Sequence, residues 1–294
     1  MLSRNDSFEP IGYMTVSIII PACDAEATLP RALKSLFQQT MGNWQAIIVA
    51  DDRRDYAAFL AGQGISDPRL SCASTGLYRS GCHNARNVGF EWVTGDYVTQ
   101  LDADDEFAPD RLATLLPLAA RHGAGADNLV MIDETTEAVI DTVIGDMNDI
   151  MHIDLYKFMS LNAPSVPVIR RDHMLPRVRG VEFSEDVIAN IQLIDRIGTV
   201  PVTASSSYIY RINTQSMANK EGAAEKFDRG YSDYIERLKT GDGFGLKPEN
   251  RIIAREGLDK KRALNRAYAK AVEQDPELNF AEFVRRLHLH HPSP

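Results

Sequence analysis

Residues 97–105 read Tyr97-Val-Thr-Gln-Leu-Asp-Ala-Asp-Asp105, a short apolar run that ends in three carboxylates within four residues. The β-branched and aromatic residues predict a strand. In an extended chain Asp102 and Asp104 leave the same face. Two hard oxygen ligands at a strand end suit Mg²⁺ or Mn²⁺ better than a soft metal. A solvated acidic turn accounts for the same four residues equally well, so the rest of the chain has to decide.

Upstream, Val16-Ser-Ile-Ile-Ile20 is stopped by Pro21, and Gln45-Ala-Ile-Ile-Val-Ala50 runs into Asp51-Asp52. Both read as strands buried on two faces. Between them an amphipathic helix carries Leu29, Leu33, Leu36 and Phe37 on one stripe, with Thr28 as N-cap and Pro30 in its first turn. A weaker strand is expected near Leu70–Ala73. A polar loop, Ser74 to Cys82, leads to a helix near His83–Thr94. There Ala85, Val88, Gly89 and Trp92 share a face and Gly95 supplies the stop. Strands alternating with helices imply right-handed crossovers and a mostly parallel sheet. Ligands of such sheets bind beyond the carboxyl ends of the strands. Pro21–Asp24, Asp51-Asp52 and Asp102–Asp105 all fall at such ends.

The second half is less regular. Asp110–Ala120 and Glu185–Arg196 read as helices, the latter with Val187, Ile191 and Ile194 on one side. Asn128–Ile132, Ala138–Ile144, Ser165–Arg170, Val200–Thr203 and Ser207–Arg211 read as strands. From Ala218 the chain is helical and charge-rich, and residues 247–270 hold eight Lys/Arg against three Asp/Glu. The chain has 294 residues, 44% hydrophobic and 25% charged, enough for one large or two modest domains. A net charge of −9 argues against a general nucleic-acid binder, which needs a basic field. No apolar run reaches the length of a membrane span. Residues 1–15 carry Arg4, Asp6 and Glu9 without an apolar core, so no secretory signal is expected. Cys23, Cys72 and Cys82 form no CxxC pair, which fits a reducing cytoplasm. His83, His288, His290 and His291 make no convincing metal set; His83 reads as a polar residue opening a helix.

These residues, taken in order, resemble the family 2 glycosyltransferases of the GT-A fold, including bacterial exopolysaccharide and lipopolysaccharide enzymes. Val16-Ser-Ile-Ile-Ile-Pro-Ala-Cys-Asp-Ala-Glu-Ala-Thr-Leu29 is similar to the family's first strand and turn. Phe37-Gln-Gln-Thr40 and Trp44-Gln-Ala-Ile-Ile-Val-Ala-Asp-Asp52 are similar to its next helix end and second strand. Ala85-Arg-Asn-Val-Gly89, Gly95-Asp-Tyr-Val, Leu101-Asp-Ala-Asp-Asp105 and Pro109-Asp-Arg-Leu112 come next in the expected order. The match is good over residues 14–115 and thinner through Ser184-Glu-Asp186, Tyr208-Ile-Tyr-Arg211 and Ser216.

The resemblance implies an α/β GT-A fold, mostly parallel and flanked by helices, with a C-terminal helical extension. Residues 1–13 would be a tail, 14–115 the nucleotide-sugar half, 116–217 the acceptor half and 218–294 the extension. Asp52, with Asp51 nearby, would hold the nucleotide base beside Pro21. Asp51 reads equally as a carboxylate serving helix N–H groups. Asp104 would ligate a Mn²⁺ or Mg²⁺ ion, and Asp102 would contact ribose or share the metal. Asp105 reads as a cap for the next segment. Asp186 would be the general base of an inverting transfer, and Glu185 a helix-start carboxylate after a Ser184 cap. Arg86 would either touch the sugar or pyrophosphate or tie the acids together. Tyr210 and Arg211 would either close over the site or lie on an edge-strand surface. The implied partners are a nucleotide-sugar donor, UDP-linked by expectation, and a glycan or lipid-linked acceptor. The basic C-terminal helices would rest on the cytoplasmic face of the inner membrane, form a homodimer contact, or be solvated. Asp24 stands where similar proteins often have Asn, and Arg53-Arg54 where they have Gly-Ser, which leaves the nucleotide open. A sugar nucleotidyltransferase would need a Gly-rich, basic loop after the first strand, where this chain has Pro-Ala-Cys-Asp-Ala-Glu. A non-catalytic binding protein of the same fold is the other alternative.

Overall fold

Strand β1 (Val16–Ala22) pairs in parallel with β2 (Trp44–Ala50) on one side and β4 (Tyr97–Gln100) on the other. Strand β3 (Leu70–Ser74) continues the parallel set beyond β2. This is a computed structural model, and it describes residues 14–143, 150–161, 164–181, 183–212, 223–275, 278 and 280–290. The expected tail, Ser216 and His291 lie outside these residues.

Alternation along the strands builds two cores. Val16, Ile18, Ile20, Ala46 and Ile48 pack with helices α1 (Leu29–Phe37) and α4 (Arg111–His122). Ile19, Ile47, Val49 and Val98 point to the opposite face, where Ala85 of α3 (Cys82–Glu91) joins them. Burial on both faces is why these strands read as unbroken apolar runs. Each fully buried isoleucine contributes roughly 1.5–3 kcal/mol relative to exposure.

Beyond β4 the sheet is mixed. Strand β9 (Val168–Arg170) runs antiparallel between β4 and β6 (Ala124–Asp133). Strand β10 (Val200–Ile212) lies parallel to β6, and β5 (Glu106–Phe107) covers its other side. The order is β3-β2-β1-β4-β9-β6-β10-β5, with β7 (Val139–Thr142) on β6 and β8 (Met151–Ile153) on β10. A third core joins β6 and β10 to α5 (Leu155–Ser160), α6 (Glu185–Ile197), α7 (Ala223–Thr240) and α8 (Pro248–Gln274). The last helix is α9 (Phe280–His290).

Several local expectations are corrected. The two strands read at Val200–Thr203 and Ser207–Arg211 are one, β10, whose register shifts between Thr203 and Ser207. Helix α2 (Tyr56–Gly62), opened by an Asp55 cap on the Ala58 N–H (3.0 Å), has no counterpart among the expected elements. Thr28 occupies the N-cap position but its hydroxyl turns back to the Ala25 carbonyl. Phe37 and Trp92 fall at helix ends rather than on buried stripes, 38% and 48% exposed. Helix α3 ends at Glu91, so Gly95 is not its stop. A Cβ at Gly95 would stand 2.6 Å from the Thr15 carbonyl, so glycine there permits the close approach of β1.

Candidate active site

The acidic turn after β4 is not extended, and its carboxylates are held differently. The Asp105 N–H donates to the Asp102 carbonyl (3.0 Å), closing a turn. Asp105, 1% exposed, accepts the Tyr208 hydroxyl and the Arg211 N–H, each at 2.8 Å. It therefore pins β10 to the end of β4 and does not cap the next segment. The Tyr208 hydroxyl also accepts the Asp102 N–H (3.1 Å), so one phenol holds both ends of the turn. Asp102 is left with a half-exposed side chain. Burial, and then the charge of Asp102, pushes the Asp104 carboxyl up to about 6. Two repelling hard carboxylates are a donor set that a divalent cation relieves. No group of three or more candidate metal ligands occurs among the described residues, so phosphate oxygens and water would complete such a shell.

Asp51 and Asp52 come directly after β2 and are both buried. Asp51 accepts the Thr75 hydroxyl (2.8 Å), the Ser80 hydroxyl and the N–H of Gly81, which precedes α3 (2.9 Å). Asp52 accepts the Asp24 N–H (2.7 Å), the Arg54 N–H (3.0 Å) and the Tyr56 hydroxyl (2.8 Å). These acids tie together the loops after β1, β2 and β3. Asp24 pairs with Arg79 (2.6 Å) and Arg54 (3.5 Å), so those cations sit on the rim in ion pairs. Asp24, Arg53, Arg79 and Ser184 all have positive φ. Left-handed non-glycine backbone costs on the order of 1–3 kcal/mol and concentrates at functional sites. Arg53 has a φ of 65°, a conformation that glycine takes without strain.

A cavity of about 230 Å³ opens between the acidic turn and the start of α6. Asp102, Arg86, Arg177, Glu185, Asp186 and Tyr210 are among its lining residues; Pro21, Asp51, Asp52, Asp104 and Arg211 are not. Arg86 spans the cavity floor, donating to Asp102 (2.5 Å) and to Glu185. Glu185 also pairs with Arg177 (2.8 Å). Of the two readings of Arg86, the observed contacts are those that tie acids together. Glu185 is the helix-start carboxylate of α6 and, beyond that expectation, a buried anion between two guanidiniums. Its preceding residue, Ser184, makes no cap; its hydroxyl meets the Tyr231 hydroxyl (3.2 Å). Asp186 is half-buried, and burial together with the Glu185 charge raises its carboxyl above the usual range. A raised carboxyl is a better proton acceptor near neutrality. Arg211 points to Glu106 (2.6 Å) and Glu137 (2.7 Å), so it neither lines the cavity nor lies free on an edge.

Sequence reasoning missed Arg177, Tyr56 and Phe227, which no motif marks. It also missed that the extension reaches the site. Phe227 of α7 lines the cavity, and Lys261 of α8 is half-buried, its amine pushed down to about 8 by desolvation while Asp186 opposes the shift. Other cations of α8, and Lys247 just before it, are spent internally: Arg262 and Arg266 on Asp228 (2.9 and 2.5 Å), and Lys247 on the Asp195 carbonyl (2.5 Å). No helix of the described residues is long and apolar enough to cross a membrane.

Comparison with known proteins agrees with this picture. Residues 17–138 match the family model described as Glycosyl transferase family 2. A UDP-Glc:alpha-D-GlcNAc-diphosphoundecaprenol beta-1,3-glucosyltransferase, WfgD of Escherichia coli, is 33% identical over 97 residues, 33% of this chain and 38% of that protein. The amylovoran biosynthesis glycosyltransferase AmsB of Erwinia amylovora is 30% identical over 131 residues, 44% of this chain and 43% of that protein. The match thus spans about two fifths of the length of these curated relatives. The S. aureus TarS 1-349 structure in complex with UDP-GlcNAc superposes with a TM-score of 0.64 at 16% identity, over 83% of this chain and 72% of that one. The α/β GT-A fold with C-terminal helices is therefore the fold of this chain, and the resemblance to bacterial polysaccharide glycosyltransferases holds in its first half.

Proposed function

We propose that this chain is an inverting, metal-dependent glycosyltransferase. It moves a sugar from a nucleotide donor, UDP-linked as in the TarS complex, to a hydroxyl of a glycan or lipid-linked acceptor in cell-surface polysaccharide synthesis. The observation that carries this reading is one cavity lined by both Asp102 and Asp186, with Arg86 joining Asp102 to Glu185, the residue before Asp186. Asp102 and Asp104 would hold Mn²⁺ or Mg²⁺; when bound, such an ion neutralises the charge of the leaving diphosphate. The Asp51–Asp52 end, which gathers three strand-end loops, is assigned to the base.

Asp186 takes the proton of the acceptor hydroxyl as that oxygen attacks the anomeric carbon. Asp186 and Asp102 both line the cavity; in this proposal the acceptor oxygen on Asp186 attacks from behind a leaving group held at Asp102, which inverts the centre. Arg86 and Arg177 hold Glu185 and thereby the first turn of α6. This limits the wandering of the neighbouring Asp186 carboxylate, since a misplaced base loses most of its effect. A cytoplasmic site of action belongs to the same proposal. Membrane docking through α8 does not, because several of its cations are already paired within the chain.

The test is a panel of nucleotide sugars with and without Mn²⁺, read by thermal shift and by transfer. One donor should stabilise the chain in a metal-dependent way. Asp186→Asn should bind that donor as the parent does while transfer falls by about 10²-fold or more. Parent-like turnover in that variant would remove Asp186 as the base.

A further inference from the structure

We infer that Arg177 is an oxyanion-binding residue of this cavity: it receives a carboxylate or phosphate carried by the transferred sugar or by the acceptor, not the donor diphosphate. The inference rests on the glycosyltransferase reading above. Arg177 lies in the segment between a short 3-10 turn (Arg171–His173) and α6. Its backbone is held by a reciprocal pair, the Asn87 amide donating to its carbonyl (3.0 Å) and its N–H donating to the Asn87 oxygen (2.6 Å). The residue is built into the cavity wall, with its side chain only 8% exposed.

Arg177 has fewer fixed partners than its neighbour Arg86. Arg86 spends its two terminal nitrogens on Glu185 and Asp102. Among the described residues Arg177 is ion-paired only with Glu185, and its Nε is buried without a well-aligned hydrogen bond. Glu185 is thus shared between two guanidiniums, of which only Arg86 holds a second carboxylate directly among the described residues. Burial pushes the Arg177 guanidinium down; Glu185 opposes this, the Arg86 charge adds to it, and Asp186 opposes it again. A guanidinium offers a planar fork of donors that matches carboxylate and phosphate. The diphosphate of the donor belongs at the Asp102–Asp104 end. Arg177 instead contacts the residue preceding Asp186, on the sugar and acceptor side, so its oxyanion is a second one.

The experiment measures binding with Mn²⁺ present, using probes that differ only in one anionic group. UDP-glucuronate is compared with UDP-glucose, and UDP-galacturonate with UDP-galactose. Farnesyl diphosphate is compared with farnesol on the Mn²⁺–UDP complex. At least one anionic probe should bind about tenfold or more tighter than its neutral counterpart. Preference among the donors places the oxyanion on the sugar; preference for farnesyl diphosphate places it on the acceptor. Arg177→Met should erase the preference and Arg177→Lys keep part of it, with Mn²⁺–UDP affinity within about threefold of the parent in both. Equal binding of every pair by the parent chain, or an unchanged preference in Arg177→Met, overturns the inference. Should Arg177→Met not fold, the parent comparison and Arg177→Lys still decide. A parent chain that fails to bind Mn²⁺–UDP at all overturns the glycosyltransferase reading itself.

Discussion

Replacing Asp105 by Ala should unfold this protein at a much lower temperature, whereas replacing its neighbour Asp104 by Asn should not. Both belong to one acidic turn, yet the structure gives them opposite duties. Asp105 is 1% exposed and is the acceptor for the Tyr208 hydroxyl and the Arg211 N–H, both at 2.8 Å. Alanine leaves both donors buried without a partner. At about 1–3 kcal/mol for each unsatisfied group, the loss is about 2–6 kcal/mol. A chain of this size loses roughly 2–4 °C of Tm per kcal/mol, so a fall of about 5–20 °C is expected. Asp104 makes no comparable contribution. Its carboxyl is pushed up to about 6 by burial and by Asp102, so its charge is a burden to the folded state at pH 7. Asp104→Asn removes that burden and should leave Tm unchanged or raised. The assay is calorimetric unfolding of the ligand-free chain at pH 7, then the same scan with UDP and Mn²⁺. Asp105→Ala should lose stability before ligand is added; Asp104→Asn should lose only the metal-dependent gain. Parent-like Tm in Asp105→Ala together with a lost metal response would make Asp105 the ligand and refute the division of labour.

The same Asp104 shift has a pH signature. Because its carboxyl is raised in the folded state, its contribution is full below the unfolded carboxylate range near 3.8 and disappears as pH climbs to about 6, so the parent should gain stability relative to Asp104→Asn on acidification from 6 to 4. Parallel stability–pH curves for the two chains would contradict it. Glu185→Gln leaves Arg177 without its ion-pair partner and Arg86 with Asp102 alone, and should cost about 3–5 kcal/mol in urea unfolding. A loss below about 1 kcal/mol, the range of a surface pair, would show that the clamp is not buried as described. Gly257→Ala in α8 places a Cβ 2.6 Å from the Cβ of Met159 and should destabilise by about 1–3 kcal/mol although alanine favours helix. Limited proteolysis of the extension in that variant should accelerate; unchanged cleavage would mean that the α5–α8 contact is not tight.

The parallel half of the fold was legible because its strands are buried on both faces. Val16–Ala22 and Trp44–Ala50 need no partner information to be read, since continuous β-branched runs flanked by acidic turns have few other structures available. Element order then placed Asp51, Asp52 and Asp102 at strand ends, where a parallel sheet binds ligands. The mixed half resisted for the converse reason. Strands β9 and β10 bind neighbours distant in sequence, and the register shift in β10 leaves no periodic signal.

What each acid does depends on which donors reach it, and local sequence carries no record of that. Asp102, Asp104 and Asp105 are chemically equivalent in the chain. Only the arrival of Tyr208 and Arg211, more than a hundred residues later, makes Asp105 structural and leaves Asp102 open to the cavity. Glu185 is the helix-start residue that the sequence suggests, and only the arrival of Arg86 and Arg177 from two other segments makes it a buried ion-pair centre. Sequence by itself therefore determined the parallel half of the sheet and the kinds of groups at its edge, through short-range burial and strand order. The tertiary structure alone decided their charges, partners and roles, because electrostatics and hydrogen bonding act between residues that meet only after the chain has folded.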